Sequence, residues 1–114
     1  VKEDLADFAK IIAAHNGQVV ADRGDGVKAV FDSGVDALRA ALKMQSLILQ
    51  KNAKLGPDAL RVRHRVGIHV GDVIVSDDRY TGLAVAIAAR LETLCPPGKI
   101  AFTDTVHEMT RQTL

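Results

Sequence analysis

Asp25 is the first residue of this chain that could do chemistry. It sits in Val19-Val20-Ala21-Asp22-Arg23-Gly24-Asp25-Gly26-Val27-Lys28-Ala29-Val30-Phe31, with an Asp-Gly pair between two apolar runs. Asp-Gly in that setting is a strong hairpin signal, because a type I′ turn needs positive φ at both central residues. A carboxylate at the tip of a rigid hairpin is well placed to hold a metal ion. Asp-Gly is also good turn chemistry in its own right. Asp22 is three residues away and would help Asp25 only if the strand distorted. A second group is Arg61, Arg63, Arg65 and His69, which alternate with Val62, His64, Val66, Ile68 and Val70. A basic stripe of that kind can bind phosphate or nucleic acid. It can equally be a solvated face, and the net charge of +1 favours that reading. The single cysteine, Cys95, precedes Pro96 at a helix end and has no metal-ligand neighbours.

The elements that must position these residues follow from periodicity. Leu5, Phe8 and Ile12 recur at helical spacing, so residues 2–15 are predicted to be an amphipathic helix. Gly17 is expected to cap it in the left-handed conformation. Strands are expected over 18–22 and 27–31. Ser33 and Asp36 stand at capping-box spacing before a helix over about 34–52, one face of which carries Val35, Leu38, Leu42, Gln45 and Leu49. Strict alternation predicts a strand over 61–70. Gly71-Asp72 is expected to turn the chain so that Val73-Ile74-Val75 returns antiparallel to it. Ser76 to Thr81 is expected to be a polar loop. Leu83, Ile87, Leu91 and Leu94 mark a third helix, stopped by Pro96-Pro97-Gly98. A short strand over 99–102 and a last helix capped by Thr103 or Thr105 complete the chain. Helices mixed with hairpins predict an α+β sandwich, an antiparallel-rich sheet with helices packed on it.

Composition bounds the function. The chain has 114 residues, enough for one domain, with 47% hydrophobic, 25% charged and only 4% aromatic residues. A net charge of +1 gives no nucleic-acid or membrane-surface footprint. One cysteine makes no internal disulfide, and a reducing, cytoplasmic setting is the default. No apolar run approaches the ~18 residues of a membrane span, so no direct membrane contact is expected from this segment, although a longer parent could be membrane-attached.

Three segments together resemble the catalytic domain of class III nucleotidyl cyclases, the adenylate and guanylate cyclases. The first is His15-Asn16-Gly17-Gln18-Val19-Val20 leading into Gly24-Asp25-Gly26-Val27 and Ala29-Val30-Phe31. The second runs from Arg65 through Gly67, His69, Gly71 and Asp72 to Val75. The third is Tyr80-Thr81-Gly82 through Val85-Ala86-Ile87-Ala88-Ala89-Arg90-Leu91-Glu92, followed by Pro97-Gly98-Lys99-Ile100.

The resemblance implies a ferredoxin-like βαββαβ core and a head-to-tail homodimer or heterodimer with another cyclase domain. It implies ATP or GTP as ligand and Mg2+ or Mn2+ as cofactor. Asp25 matches a metal-binding carboxylate, and Arg90 matches the catalytic arginine that stabilises the transition state. Three nucleotide-binding positions are substituted. Ala86 stands where the family has its transition-state asparagine. Ala21 stands where it has the adenine-selecting lysine, and Arg79 where it has that lysine's acidic partner. The other metal-binding aspartate belongs to a strand before the first helix, and a triphosphate-contacting lysine to a strand after the last. Residues 1–114 are therefore expected to be a single cyclase homology domain, truncated at both ends. The functional expectation is a dimerising or regulatory domain of a signalling protein with a degraded catalytic set. The alternatives are an active cyclase releasing diphosphate, alone or with a partner, and a ferredoxin-like module for another small ligand.

Overall fold

The computed structural model describes residues 2–22, 26–61, 63–77 and 79–113. The element order is α1 (Lys2–Ala14), β1 (Gly17–Asp22), β2 (Val27–Phe31), α2 (Gly34–Ala53), β3 (Val66–Ile68), β4 (Ile74–Ser76), β5 (Arg79–Thr81), α3 (Leu83–Leu94), β6 (Ile100–Phe102) and α4 (Asp104–Thr110). The α+β class expected from the pattern is what forms. Two strand pairs are antiparallel, β1 with β2 and β4 with β5, and β3 pairs with β6 in parallel.

Helix α1 buries the residues its periodicity marks, Leu5, Phe8 and Ile12. It ends one residue earlier than expected. The left-handed residue after it is Asn16 (φ 63°), not Gly17, which already belongs to β1. Asn tolerates that conformation because its short polar side chain bonds locally. Gly17 is required for a different reason: a Cβ there would collide with the Phe31 ring and the Ile12 side chain.

Ser33 caps α2, its hydroxyl accepting from Val35 N–H at 3.1 Å and Asp36 N–H at 3.4 Å. The buried face of α2 is rotated from the one read in the sequence. Leu38, Ala41 and Ile48 are buried, whereas Leu42 and Leu49 point outward, Leu49 with 70% exposure. The helix supports two apolar clusters. Leu38 and Ala41 meet Ile68 and Val106, while Ile48 meets Leu5 and Phe8; Met44 packs against both.

Two expectations for the middle of the chain fail together. Among the described residues of 61–70 only Val66–Ile68 is strand, and its partner is β6, not Val73–Val75. The ladder stops below Val66 because the facing chain turns at Pro96-Pro97-Gly98, where Lys99 N–H donates back to Pro96 C=O at 3.2 Å. The chain there is tied differently: Gly98 N–H donates to His64 C=O at 2.9 Å, and Gln45 Nε2 donates to the His64 and Lys99 carbonyls. The returning strand instead pairs with residues expected to be loop, Ile74 opposite Thr81 and Ser76 opposite Arg79.

Helix α3 is the crossover a parallel β3–β6 pair needs. It comes so close to β3 that a Cβ on Gly67 would collide with Ala88 C=O and Glu92 N–H. Its terminal leucines do not join the core; Leu83 and Leu94 are 76% and 67% exposed. Thr103, not Thr105, is the N-cap of α4. Its side chain makes no cap bond; Oγ1 shares a 2.9 Å hydrogen bond with His69 Nδ1.

Candidate functional site

A local irregularity in β1 shapes the site. Val19 pairs with Ala29 and Ala21 with Lys28, so Val20 is an extra residue on its strand, a β-bulge. In a regular strand, neighbours point to opposite faces; a bulge breaks that alternation and re-aims side chains. Val20 and Ala21 consequently line the same cleft. Across the hairpin Lys28 joins them, and Arg79, Tyr80 and Thr81 of β5 form the other wall. The cleft has a volume of about 220 Å3. Complete small-molecule pockets run to roughly 300–1,000 Å3, so this one suits part of a ligand.

The cleft is cationic at its polar points. Lys28 is half-buried and Arg79 exposed, and neither has a side-chain ion pair or hydrogen bond among the described residues. Ala21 and Arg79 both line this one cleft. Lys28 is a member the sequence reading did not single out. The hairpin register of the fold sets it opposite Ala21.

Ala86 and Arg90 form a separate group. They lie four residues apart on α3, one above the other on the helix surface, and both are exposed. Arg90 has no described ion pair, so its guanidinium is open to a ligand or a partner chain. Asp25 lies outside the described residues. Among the described residues no three His, Cys, Asp or Glu side chains gather as a metal centre.

The basic stripe dissolves on inspection. Arg61, Arg63 and Arg65 are exposed on irregular chain, while His69 turns inward to Thr103. His64 is a structural residue. Its ring meets Phe8 edge-on at 4.9 Å between centroids, and its Nε2 lies 3.4 Å from Asp4 Oδ2. Asp4 also receives Lys51 Nζ at 2.8 Å, and the same ammonium reaches Asp7 at 2.8 Å. Burial alone would raise the Asp4 carboxyl; the hydrogen bonds and charges of Lys51 and His64 outweigh it and hold the group below its ordinary range. Lys51 is raised in turn, chiefly by its hydrogen bonds to Asp4 and Asp7. Cys95 is buried at the end of α3.

The model of the adenylate and guanylate cyclase catalytic domain matches residues 1–114. The chain belongs to that family. A Rhizobium meliloti (strain 1021) protein provisionally named adenylate cyclase 3 is 37% identical to this cyclase domain over 98 residues, 86% of the chain and 16% of the relative. The serine/threonine-protein kinase pkn2 of Myxococcus xanthus is 27% identical over 97 residues, 85% of the chain and 12% of the relative. The domain thus spans a small part of the curated relatives it matches. Among solved structures, an adenylate/guanylate cyclase/hydrolase from Silicibacter pomeroyi superposes with a TM-score of 0.87 at 37% identity, over 99% of this chain and 65% of that one. The guanylyl cyclase Cya2 superposes at 0.76 with 23% identity, over 93% of this chain and 62% of that one, and shares the fold.

Proposed function

We propose that this cyclase domain is a dimerising, regulatory element of a signalling protein, with a catalytic set too depleted to cyclise a nucleotide unaided. The observation that carries the reading is Ala86. It stands one turn before Arg90 on the same exposed stripe of α3. Cyclisation joins the 3′-oxygen of a nucleoside triphosphate to its α-phosphorus and breaks the bond to diphosphate. Negative charge grows on the phosphoryl oxygens, and Arg90 is placed to offset it. Ala86 has no donor to add. Losing one preorganised donor costs roughly 10²–10³ in rate.

A dimerising role is supported by apolar surface left open. Ile74 and Val75, successive residues of β4 that point to opposite faces, are each 60% exposed, and Leu83 at the start of α3 is 76% exposed. Exposed apolar side chains are available for a contact surface, and a second cyclase domain is the occupant proposed here. A signalling role is supported by the relatives, much longer proteins of which one is named a kinase and one a cyclase. Mg2+ or Mn2+ with ATP or GTP would be the ligands, Asp25 contributing one carboxylate.

The test is cyclic nucleotide formation by the purified full-length protein with Mn2+ and either ATP or GTP. The expected yield does not exceed that of an Asp25→Ala control; yield well above it sinks the reading. Arg90, exposed and without an ion pair among the described residues, favours one second reading, in which this domain completes the site of a different cyclase chain. Activity appearing only on mixing with such a partner, and lost in Arg90→Ala, would establish it.

A further inference from the structure

The segment between α2 and β3 joins an open apolar side chain to a concentration of positive charge. Leu60 is 93% exposed, the most open of the large apolar side chains among the described residues. Lys54, Arg61, Arg63 and Arg65 stand near it in sequence, all exposed, and Asp58 is the one acid of residues 54–65. The turn before β6 lies alongside. Gly98 N–H donates to His64 C=O at 2.9 Å, the Arg63 side chain passes beside Gly98, and Val66 N–H donates to Lys99 C=O. Lys99, also exposed, therefore belongs to the same edge. Five of the chain's 15 Lys and Arg gather here with one of its 14 Asp and Glu, so the rest of the chain is net negative. None of the five has an ion pair among the described residues. The whole-chain charge of +1 averages this asymmetry away.

Local bonds shape the segment. Ala59 N–H donates to Gly56 C=O at 3.1 Å, closing a turn whose second residue is Pro57, where the fixed φ of proline suits it. Arg61 Nη1 reaches back to Ala59 C=O at 3.4 Å. His64 faces inward to Phe8 and Asp4. Leu60 is thus displayed just past a closed turn. A lone exposed leucine is ordinary on a protein surface; the cations beside it set this one apart. Nucleic acid would engage the arginines but give the leucine little to bury. An anionic bilayer answers both.

We propose that this edge docks on an anionic membrane surface. Leu60 enters the boundary between headgroups and acyl chains, and the five cations lie among the anionic headgroups. Apolar insertion and basic attraction act together, each too weak to hold a domain alone. The inference is independent of the regulatory reading, because no residue of the β1–β2 hairpin or of α3 takes part.

The test is co-sedimentation of the full-length protein with phosphatidylcholine vesicles, with and without phosphatidylserine. Binding is expected only where phosphatidylserine is present, and it should weaken steeply as salt rises. Arg61→Gln, Arg63→Gln and Arg65→Gln combined should weaken it about a hundredfold, at roughly fivefold per charge. Leu60→Ser should weaken it about tenfold, with an unchanged unfolding midpoint because the side chain is open in the fold. Leu60→Trp keeps an interfacial anchor in a domain that has no tryptophan. It should retain binding, and its added emission should shift to the blue on phosphatidylserine vesicles.

Absence of binding to phosphatidylserine vesicles overturns the proposal. So does equal binding to both kinds of vesicle, binding that the variants leave unchanged, or dependence on only one of the two elements. Dependence on the arginines alone, with no blue shift, would mark the edge as a site for nucleic acid or an acidic protein instead.

Discussion

Single residues decide two things here, how closely elements approach and what the site can donate. Gly67 is the clearest case, because any Cβ would meet backbone atoms of α3, which cannot swing aside as a side chain does. Gly67→Ala is expected to destabilise the domain by about 1–3 kcal/mol, the usual cost of overpacking, read as a lower urea midpoint. A midpoint unchanged within error would show that α3 shifts freely. At the site, the Ala86 and Arg90 relationship was legible in the sequence, because four residues is one helical turn wherever the helix lies. Lys28 was not legible there, because a two-residue turn at Asp25-Gly26 would set Val30 opposite Ala21, whereas the observed register sets Lys28 there.

At the scale of elements, capping and ion pairs fix the helices. Ser33 satisfies two N–H groups at the start of α2, so Ser33→Ala is expected to cost about 1 kcal/mol, measured by thermal or denaturant unfolding. A loss much below that would mean the bonds are replaced by water at no cost. Lys51 of α2 clamps Asp4 and Asp7 of α1. The Asp4 carboxyl is lowered in the fold, so its contribution is fully present above the ordinary carboxylate pKa, about 4. That contribution fades as pH falls through the lower folded value. Melting temperature should therefore drop more steeply in the wild type than in Asp4→Asn as pH falls below the ordinary carboxylate range. Parallel curves would dismiss Asp4 as the acid-sensitive group. Helix periodicity located α1 and α2 well, since it depends on near neighbours. It misplaced the inward face of α2, where Leu42 and Leu49 point out, because two apolar stripes were available and only packing chooses between them.

Across the whole molecule, Ile74 and Val75 of β4 and Leu83 at the start of α3 are apolar side chains left exposed. Ile74→Glu is expected to shift the protein from dimer to monomer in sedimentation or light scattering while leaving the unfolding midpoint nearly unchanged, since Ile74 is exposed in the single chain. An unaltered assembly state would place the contact elsewhere. Strand partners also belong to this scale, and here the sequence misled. Alternation over 61–70 followed by Gly71-Asp72 reads as a local hairpin, whereas β3 pairs in parallel with β6 across an intervening hairpin and helix.

The sequence by itself determined the fold class, the helices and their stops, and the family, through residues whose spacing along the chain carries the signal. It also fixed what the site lacks, since Ala21 and Ala86 have no donor in any conformation. Tertiary structure alone decided which strands share hydrogen bonds and which cleft Arg79 enters. A backbone N–H accepts whichever carbonyl folding brings to it, and a β-bulge at Val20 turns two neighbouring side chains toward one wall. Spacing along the chain encodes neither choice, because both depend on partners far away in sequence.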